Sequence, residues 1–263
     1  MDDVIKKVSM IGAGNLATQL SKGFQRHGIE VVQVYSRTME SASCLAALLG
    51  AEATDCVGHM RSDSDLYVFS VKDDALEDVL RGFPFRDKRI VHTAGSLPMS
   101  LLKNYSPDYG VFYPLQTFSK QREVDFHDVP ICIESSSALF TQQLKELAGS
   151  LSVDVRDVNS EQRKQVHLAA VFVCNFVNYL YGVGHALMEE SQLDFDILKP
   201  LIRETSAKVM DANPHDVQTG PAVRFDEKVI NKHLELLENS VELQELYSFV
   251  SKQIFQAHKK EKI

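Results

Sequence analysis

Gly12-Ala13-Gly14-Asn15-Leu16-Ala17 follows the apolar run Val8-Ser9-Met10-Ile11 and opens a stretch of helical period. Glycines at that spacing, directly between a strand and a helix, suit a turn that receives a pyrophosphate. Gly12 permits the bend, Gly14 lets the backbone approach the ligand, and the small Ala17 allows the helix to lie close on the strand. The helix beginning at Asn15 and Leu16 offers free N–H groups and a positive dipole end to the phosphates. A second group stands at the end of the next strand, where the adenosine ribose of a dinucleotide falls. A ribose with free hydroxyls ordinarily meets Asp or Glu there. The sequence instead reads Tyr35-Ser36-Arg37-Thr38. An arginine between two hydroxyls suits charge-assisted bonds to a 2′-phosphate, which predicts NADP(H) over NAD(H).

Two further strand ends border the place of the nicotinamide, because ligands of open α/β sheets sit beyond the carboxyl ends of the strands. They read Ser70-Val71-Lys72-Asp73 and His92-Thr93-Ala94-Gly95-Ser96, and backbone amides and small side chains at Ser70, Val71, Lys72, Thr93, Ala94 and Gly95 can face the cofactor. His92, finishing a buried strand, reads as a hydrogen-bonded structural residue at least as readily as a catalyst. Hydride transfer to a carbonyl or imine also needs a proton, and histidine is the usual source near neutral pH. A long apolar helix carries His167, Asn175, Asn178 and His185. At about 100° per residue, His167, Asn178 and His185 fall within about 20° of one line and Asn175 lies about 80° away. His167 as proton donor and Asn175 as substrate orienter are the catalytic candidates; packing in a helix interface is the competing account. Arg224, after Gly220-Pro221, can clamp a carboxylate bidentately, and His233 lies two helical turns further on.

These residues need particular elements to hold them. Strand patterns run over Lys7 to Ile11, Ile29 to Tyr35, Leu66 to Val71, Arg89 to Thr93, Gly110 to Tyr113, Pro130 to Glu134 and Val153 to Val158. Helical patterns between them cover Leu16 to Arg26, Met39 to Leu49, Ala75 to Arg81 and Ser137 to Leu151. Such alternation predicts a Rossmann-type doubly wound parallel sheet over residues 1–158. Beyond it the pattern is helical only, over Ser160 to Met188, Asp194 to Met210, Asp226 to Leu237 and Ser240 to His258, which gives an all-helical domain over residues 159–263.

The 263 residues, 44% hydrophobic and 24% charged, are those of an ordinary folded protein. A net charge of -8, with no basic block outside Lys259-Lys260-Glu261-Lys262, argues against a nucleic-acid partner. Cys44, Cys56, Cys132 and Cys174 are dispersed, without metal-ligand spacing, so no metal site is expected and a reduced cytoplasmic protein is the natural reading. The acidic start Met1-Asp2-Asp3 argues against a signal peptide. Leu168 to Met188 is apolar enough to suggest a membrane span, but Asn175, Asn178 and His185 inside it favour a helix buried within the protein. Because that helix is apolar on nearly every face and a domain of roughly 100 residues has too little core to cover it, a homodimer is expected.

With these residues on the page, the chain resembles the reductases that join a Rossmann domain to a helical domain of the 6-phosphogluconate dehydrogenase-like kind: pyrroline-carboxylate reductases, ketopantoate reductases and β-hydroxyacid dehydrogenases. Most of all it resembles a two-domain family labelled NADP oxidoreductase. The resemblance rests on Gly12 to Ala17, Ser36-Arg37-Thr38, His92 to Ser96, Tyr113-Pro114-Leu115-Gln116-Thr117-Phe118, the helix through Asn175, and Thr219-Gly220-Pro221-Ala222-Val223-Arg224-Phe225-Asp226. It implies NADP(H) as cofactor and contacts to a small-molecule substrate from Tyr113, Gln116 and Arg224. Phe225 stands where the family pattern usually has glycine. The lysine that β-hydroxyacid dehydrogenases place one helical turn before their asparagine is here Val171, if Asn175 is that asparagine. The leading reading is therefore an NADP(H)-dependent reductase of a small oxo acid or cyclic imine acid. A catalytically silent NADP(H)-binding sensor or partner module competes with it, and a deazaflavin:NADP oxidoreductase follows only from the habitual label of the family.

Overall fold

Short runs rich in β-branched and aromatic residues, buried on both faces, alternate with amphipathic helices through the first part of the chain. The computed structural model describes residues 4–259; the acidic start and the tail beyond Lys259 lie outside the described residues. In order come β1 (Lys7–Ile11), α1 (Asn15–Arg26), β2 (Glu30–Tyr35), α2 (Met39–Leu49), β3 (Glu52–Thr54), β4 (Leu66–Phe69), α3 (Leu76–Gly82), β5 (Ile90–His92), β6 (Tyr109–Pro114), β7 (Ile131–Ser135), α4 (Ala138–Leu151) and β8 (Val155–Asp157). They form one eight-stranded sheet of order β3-β2-β1-β4-β5-β6-β7-β8. Strands β1 to β6 are parallel to one another. The chain order reverses between β1 and β4, which opens the crevice where such sheets bind ligands.

The expected all-parallel sheet needs one correction, since β7 pairs antiparallel with β6 and β8 runs parallel to β7. A parallel return demands a crossover, usually a helix, and the segment 115–130 between β6 and β7 holds no helix. The chain therefore comes straight back, and α4 then provides the crossover from β7 to β8. Strand β3, three residues at the sheet edge, is too short and polar to show a period in the sequence. One core joins Leu20 and Phe24 of α1, Leu45 and Leu49 of α2 and Leu144 of α4 to the sheet, and a second joins Leu76 and Leu80 of α3 to Phe69, Phe83 and Ile11.

After the sheet, α5 (Ser160–Ala170) starts on a capping box in which Asn159 and Gln162 satisfy each other's backbone N–H groups. It runs through a π-helical turn, Val171–Phe176, into α6 (Val177–Glu190). The chain's first compact unit continues through α5 and ends at Tyr179. The second contains α7 (Lys199–Asp211), the short α8 (Pro221–Arg224), α9 (Glu227–Leu236) and α10 (Val241–Lys259). Phe225, just after α8, takes the left-handed conformation at φ 51°, which costs a residue other than glycine about 1–2 kcal/mol. Its ring lies 4.8 Å from that of Phe255 on α10, a contact glycine lacks.

The expectation that the long helix is buried within the protein is not met. Its apolar side chains are exposed in the single chain, with Phe172 at 59%, Val173 at 70% and Tyr179 at 60%. Ser160–Glu190 is long and apolar enough to cross a membrane by length and composition.

Candidate active site

The turn after β1 has little freedom. Gly12 adopts φ +128°, and a methyl group there would land on the Ser70 carbonyl at the end of β4, so only glycine fits. Its N–H donates to the Tyr35 carbonyl at 2.8 Å, and the Ser70 N–H donates to the Ile11 carbonyl at 2.7 Å, which locks three strand ends together. Gly14, the N-cap of α1, makes no side-chain cap and has nothing within 4 Å of where a Cβ would project. The first turn of α1 carries no acidic residue. An uncapped helix N-terminus facing open space fits a pyrophosphate in both charge and room. Asn15 and Leu16 begin that helix, and Ala17 is fully buried against the core.

Gly12, Gly14, Ser36, Arg37, Thr38, Ser70, Val71 and Lys72 line one cavity of 710 Å³, together with Tyr35, Ser41, Val57, Ala75, Asp78 and Val79. Val57 and Val79 give it apolar wall, suited to a flat base. At its rim Arg37 is exposed and makes no ion pair among the described residues. Thr38 caps α2 by accepting from the Ser41 N–H, and its hydroxyl donates to Ser41 Oγ at 3.0 Å. An arginine, three hydroxyls and a helix N-terminus thus converge where a 2′-phosphate would lie. Ser41 was not singled out from the sequence, although its capping spacing in Thr38-x-x-Ser41 is a signal that could have found it; Val57, Ala75, Asp78 and Val79 carry no sequence signal, because tertiary folding alone brings them there.

The other strand ends lead to a second cluster. Thr93 N–H donates to the Phe69 carbonyl at 3.1 Å, which holds the β5 end beside that of β4, and Ser96 Oγ donates to Asp73, joining the two following loops. His92 is fully buried and its Nδ1 accepts from the Ala94 N–H at 3.1 Å. Burial, reinforced by the nearby Arg163 guanidinium and only partly opposed by the Pro98 backbone, lowers its pKa to about 3. His92 is therefore a neutral structural residue. Tyr113 at the end of β6 places its hydroxyl 3.1 Å from His167 Nδ1. Burial is the main cause that pushes the Tyr113 phenol up to about 12, so it stays protonated. Gly95 closes on both: a methyl there would stand 2.6 Å from His167 Nδ1 and 2.9 Å from the Tyr113 hydroxyl. Beneath them lies Arg163, completely buried and paired with Glu134 at 2.7 Å; nothing in the sequence distinguished it from a solvated helix charge.

The π turn corrects the expected polar stripe. A π turn spends one residue more than an α turn, which sets back everything beyond it by about 100°. Asn175, the fifth residue of the turn, takes most of that setback and moves close to the His167 line, whereas Asn178 and His185 beyond it rotate away by about 80° and about 100°. The structure thus brings Tyr113, Gly95 and His167 together, with Asn175 on the same helix face. Gln116 is exposed and its Oε1 accepts from the Thr117 N–H. His185 lies 3.9 Å from Glu189 and against Phe195. Arg224 ends α8 in the second unit and is exposed, and His233 bonds the Tyr247 hydroxyl at 2.7 Å.

Comparison with known proteins bears on this arrangement. Residues 7–95 match the family model described as NADP oxidoreductase coenzyme F420-dependent, and residues 129–254 match a domain of unknown function, DUF2520. No curated protein matches the chain. Among solved structures, a Bacteroides fragilis protein titled "putative NADP oxidoreductase" is 46% identical, over 97% of this chain and 100% of its own, with a TM-score of 0.92. An imine reductase from Myxococcus stipitatus in complex with NADP+ shares the fold at 17% identity, over 97% and 93% of the chains, with a TM-score of 0.64. So does a 1-pyrroline-5-carboxylate reductase from Streptococcus pyogenes, at 14% identity, 98% and 99% coverage and a TM-score of 0.62. On identity across its whole length, with the glycine turn and arginine rim in place, the chain belongs to the two-domain family of NADP(H)-dependent oxidoreductases represented by the Bacteroides fragilis protein.

Proposed function

We propose that the protein reduces a small oxo acid or cyclic imine acid at the expense of NADPH, with His167 as the proton donor. The observation that carries this reading is the Tyr113–His167 pair seated on Gly95, at the strand ends that border a nicotinamide. Gly12, Gly14, the α1 N-terminus, Ser36, Arg37 and Thr38 would hold NADPH, whose chemistry there would be hydride transfer to the carbon of the C=N or C=O bond. The protein's task is the matching proton. The Tyr113 hydroxyl and His167 Nδ1 share one hydrogen bond, in which the phenol oxygen accepts when Nδ1 carries a proton, and this directs Nε2 away from Tyr113. Protonated on both ring nitrogens, His167 gives its Nε2 proton to the substrate nitrogen or oxygen as the bond is reduced, which leaves a neutral imidazole that solvent reprotonates. Asn175, within the π turn and on the same face, orients the substrate. No lysine is needed at Val171, since His167 reaches the same face from one turn earlier. Tyr113 is the substrate contact that this geometry supports.

The dispersed, free cysteines support a reducing, cytoplasmic setting. Exposed Phe172, Val173 and Tyr179 on the long helix support a homodimer in which a second copy covers them. Asn175, Asn178 and His185 within the long helix speak against lipid, and the net charge of -8 against nucleic acid. The domain division proposed is NADP binding in residues 1–158 and substrate binding with dimerisation in residues 159–263. The test is NADPH oxidation followed by absorbance with pyruvate, 1-pyrroline-2-carboxylate and 1-piperideine-2-carboxylate. Turnover of one of them supports the assignment. Tight NADPH binding without turnover across such a panel defeats it and leaves the sensor reading.

A further inference from the structure

Arg163 sits one helical turn before His167, on the same face of α5, and its side chain is completely buried. Its polar reach is spent on one loop, one strand and the Ser160 hydroxyl of its own helix at 3.3 Å. Nε donates to the Ala94 carbonyl at 3.2 Å and one terminal nitrogen to the Leu97 carbonyl at 2.5 Å. The other donates to Glu134 Oε2 on β7 at 2.7 Å. Ser160 completes the knot: its hydroxyl donates to the same Glu134 oxygen at 2.7 Å and accepts from the Met99 N–H at 3.0 Å. A buried ion pair is a poor device for stability alone, because apolar residues of similar volume often serve as well. This one is aimed at two backbone carbonyls, and of the two residues between them, Gly95 and Ser96, Gly95 presses on His167 and Tyr113.

We infer that Arg163 is a positioning residue of the reaction: it draws the Ala94–Leu97 segment onto α5, so that Gly95 fixes the His167 ring against the Tyr113 hydroxyl. One helix thus carries both the clamp that seats the loop and the imidazole that the loop holds. The inference rests on His167 acting as proposed above, but its structural half is independent of turnover. Replacing Arg163 releases the two carbonyls, relaxes Gly95 and frees the imidazole, while the pyrophosphate turn at Gly12 and Gly14 keeps its own contacts.

The test uses full-length Arg163→Met and Arg163→Lys. Two-bond proton–nitrogen spectra of histidine-labelled protein, without cofactor and with His167 assigned through His167→Gln, read the tautomer and hydrogen bonding of the ring. NADPH affinity and kcat on the best substrate of the panel are measured alongside. Arg163→Met is expected to shift the His167 signal and lower kcat by about 10- to 100-fold, the order of loss for a misplaced reacting group, with NADPH affinity within about threefold. Arg163→Lys keeps the charge beside Glu134 but lacks the planar fork that reaches both carbonyls, so it gives the same changes in smaller degree. If Arg163→Met does not fold, Arg163→Lys decides. A purely structural role lowers the melting temperature and leaves the His167 signal and kcat unchanged, and that result overturns the inference. Absence of turnover in the wild type defeats the reductase reading only, and the spectra then decide the role of Arg163 by themselves.

Discussion

Arg37→Ala tests cofactor choice most directly. Arg37 stands exposed at the cavity rim beside Ser36, Thr38 and Ser41, with no ion pair among the described residues to satisfy it. Its removal therefore breaks no internal contact and leaves the fold unchanged. Hydrogen bonds to charged groups contribute about 1.5–3 kcal/mol, and exposure places this one at the lower end because solvent and salt screen it. About 1.5–2 kcal/mol corresponds to roughly 10- to 30-fold in affinity. The α2 N-terminus, worth about 0.3–1 kcal/mol to an anion, remains with the hydroxyls and holds part of the preference. Isothermal calorimetry should give the wild type at least about tenfold tighter NADPH than NADH binding, near 1.4 kcal/mol. In Arg37→Ala, NADPH should weaken by that 10- to 30-fold while NADH stays within about twofold, and the salt dependence of NADPH binding should flatten. Equal affinity of the wild type for the two cofactors, or equal weakening of both in the variant, refutes the assignment of Arg37 to the 2′-phosphate.

His167→Ala should lower kcat by about 10² to 10⁴ with NADPH affinity within a few-fold, since a proton donor is lost and the phosphate turn is untouched; steady-state kinetics with fluorescence titration checks both. Gly12→Ala should abolish NADPH binding and lower the melting temperature, because its methyl group meets the Ser70 carbonyl in a backbone region costly for other residues; retained affinity would contradict the turn geometry. Because the pKa of His92 is about 3 when folded and near 6.5 when unfolded, the unfolded state takes up the proton first as pH falls. The stability due to the neutral ring is present above about pH 6.5 and is lost below it, at about 1.4 kcal/mol per pH unit until about pH 3. His92→Asn should therefore flatten the decline of melting temperature between pH 7 and 5. Phe172→Glu with Tyr179→Lys should convert a dimer into a monomer by light scattering; an unchanged mass removes this face from the interface.

Much of the Rossmann part was legible because its signals are local. The glycine turn requires a positive φ at Gly12, and the residue ending β2 is fixed by strand length, so two of the clusters that line the cavity, at Gly12 and Gly14 and at Ser36 to Thr38, could be read from the chain. The orientation of β7 was not, because it depends on the absence of a crossover helix in a segment whose sequence pattern is merely irregular. Arg163 was invisible for a different reason: a charged residue on a helix reads as solvated, and only the arrival of the Ala94–Leu97 carbonyls and Glu134 from other elements gives it partners. His167 and Asn175 were picked out by residue type, but their alignment was misjudged, since a wheel drawn at a constant angle has no place for a π turn.

The π turn between Ala170 and Val177 acts as a frame shift within one rod. Upstream of it, α5 is indexed by its contacts to the sheet unit, through Arg163 and His167; downstream, each side chain meets its surroundings one position later than the helix would otherwise allow. Two surfaces with separate demands can therefore be written onto a single helix without compromise in the sequence of either, and the phase between them is set by one residue of length. Change at this joint comes in discrete steps: a substitution leaves the two phases as they are, whereas deletion of one residue re-registers the whole of α6 against His167.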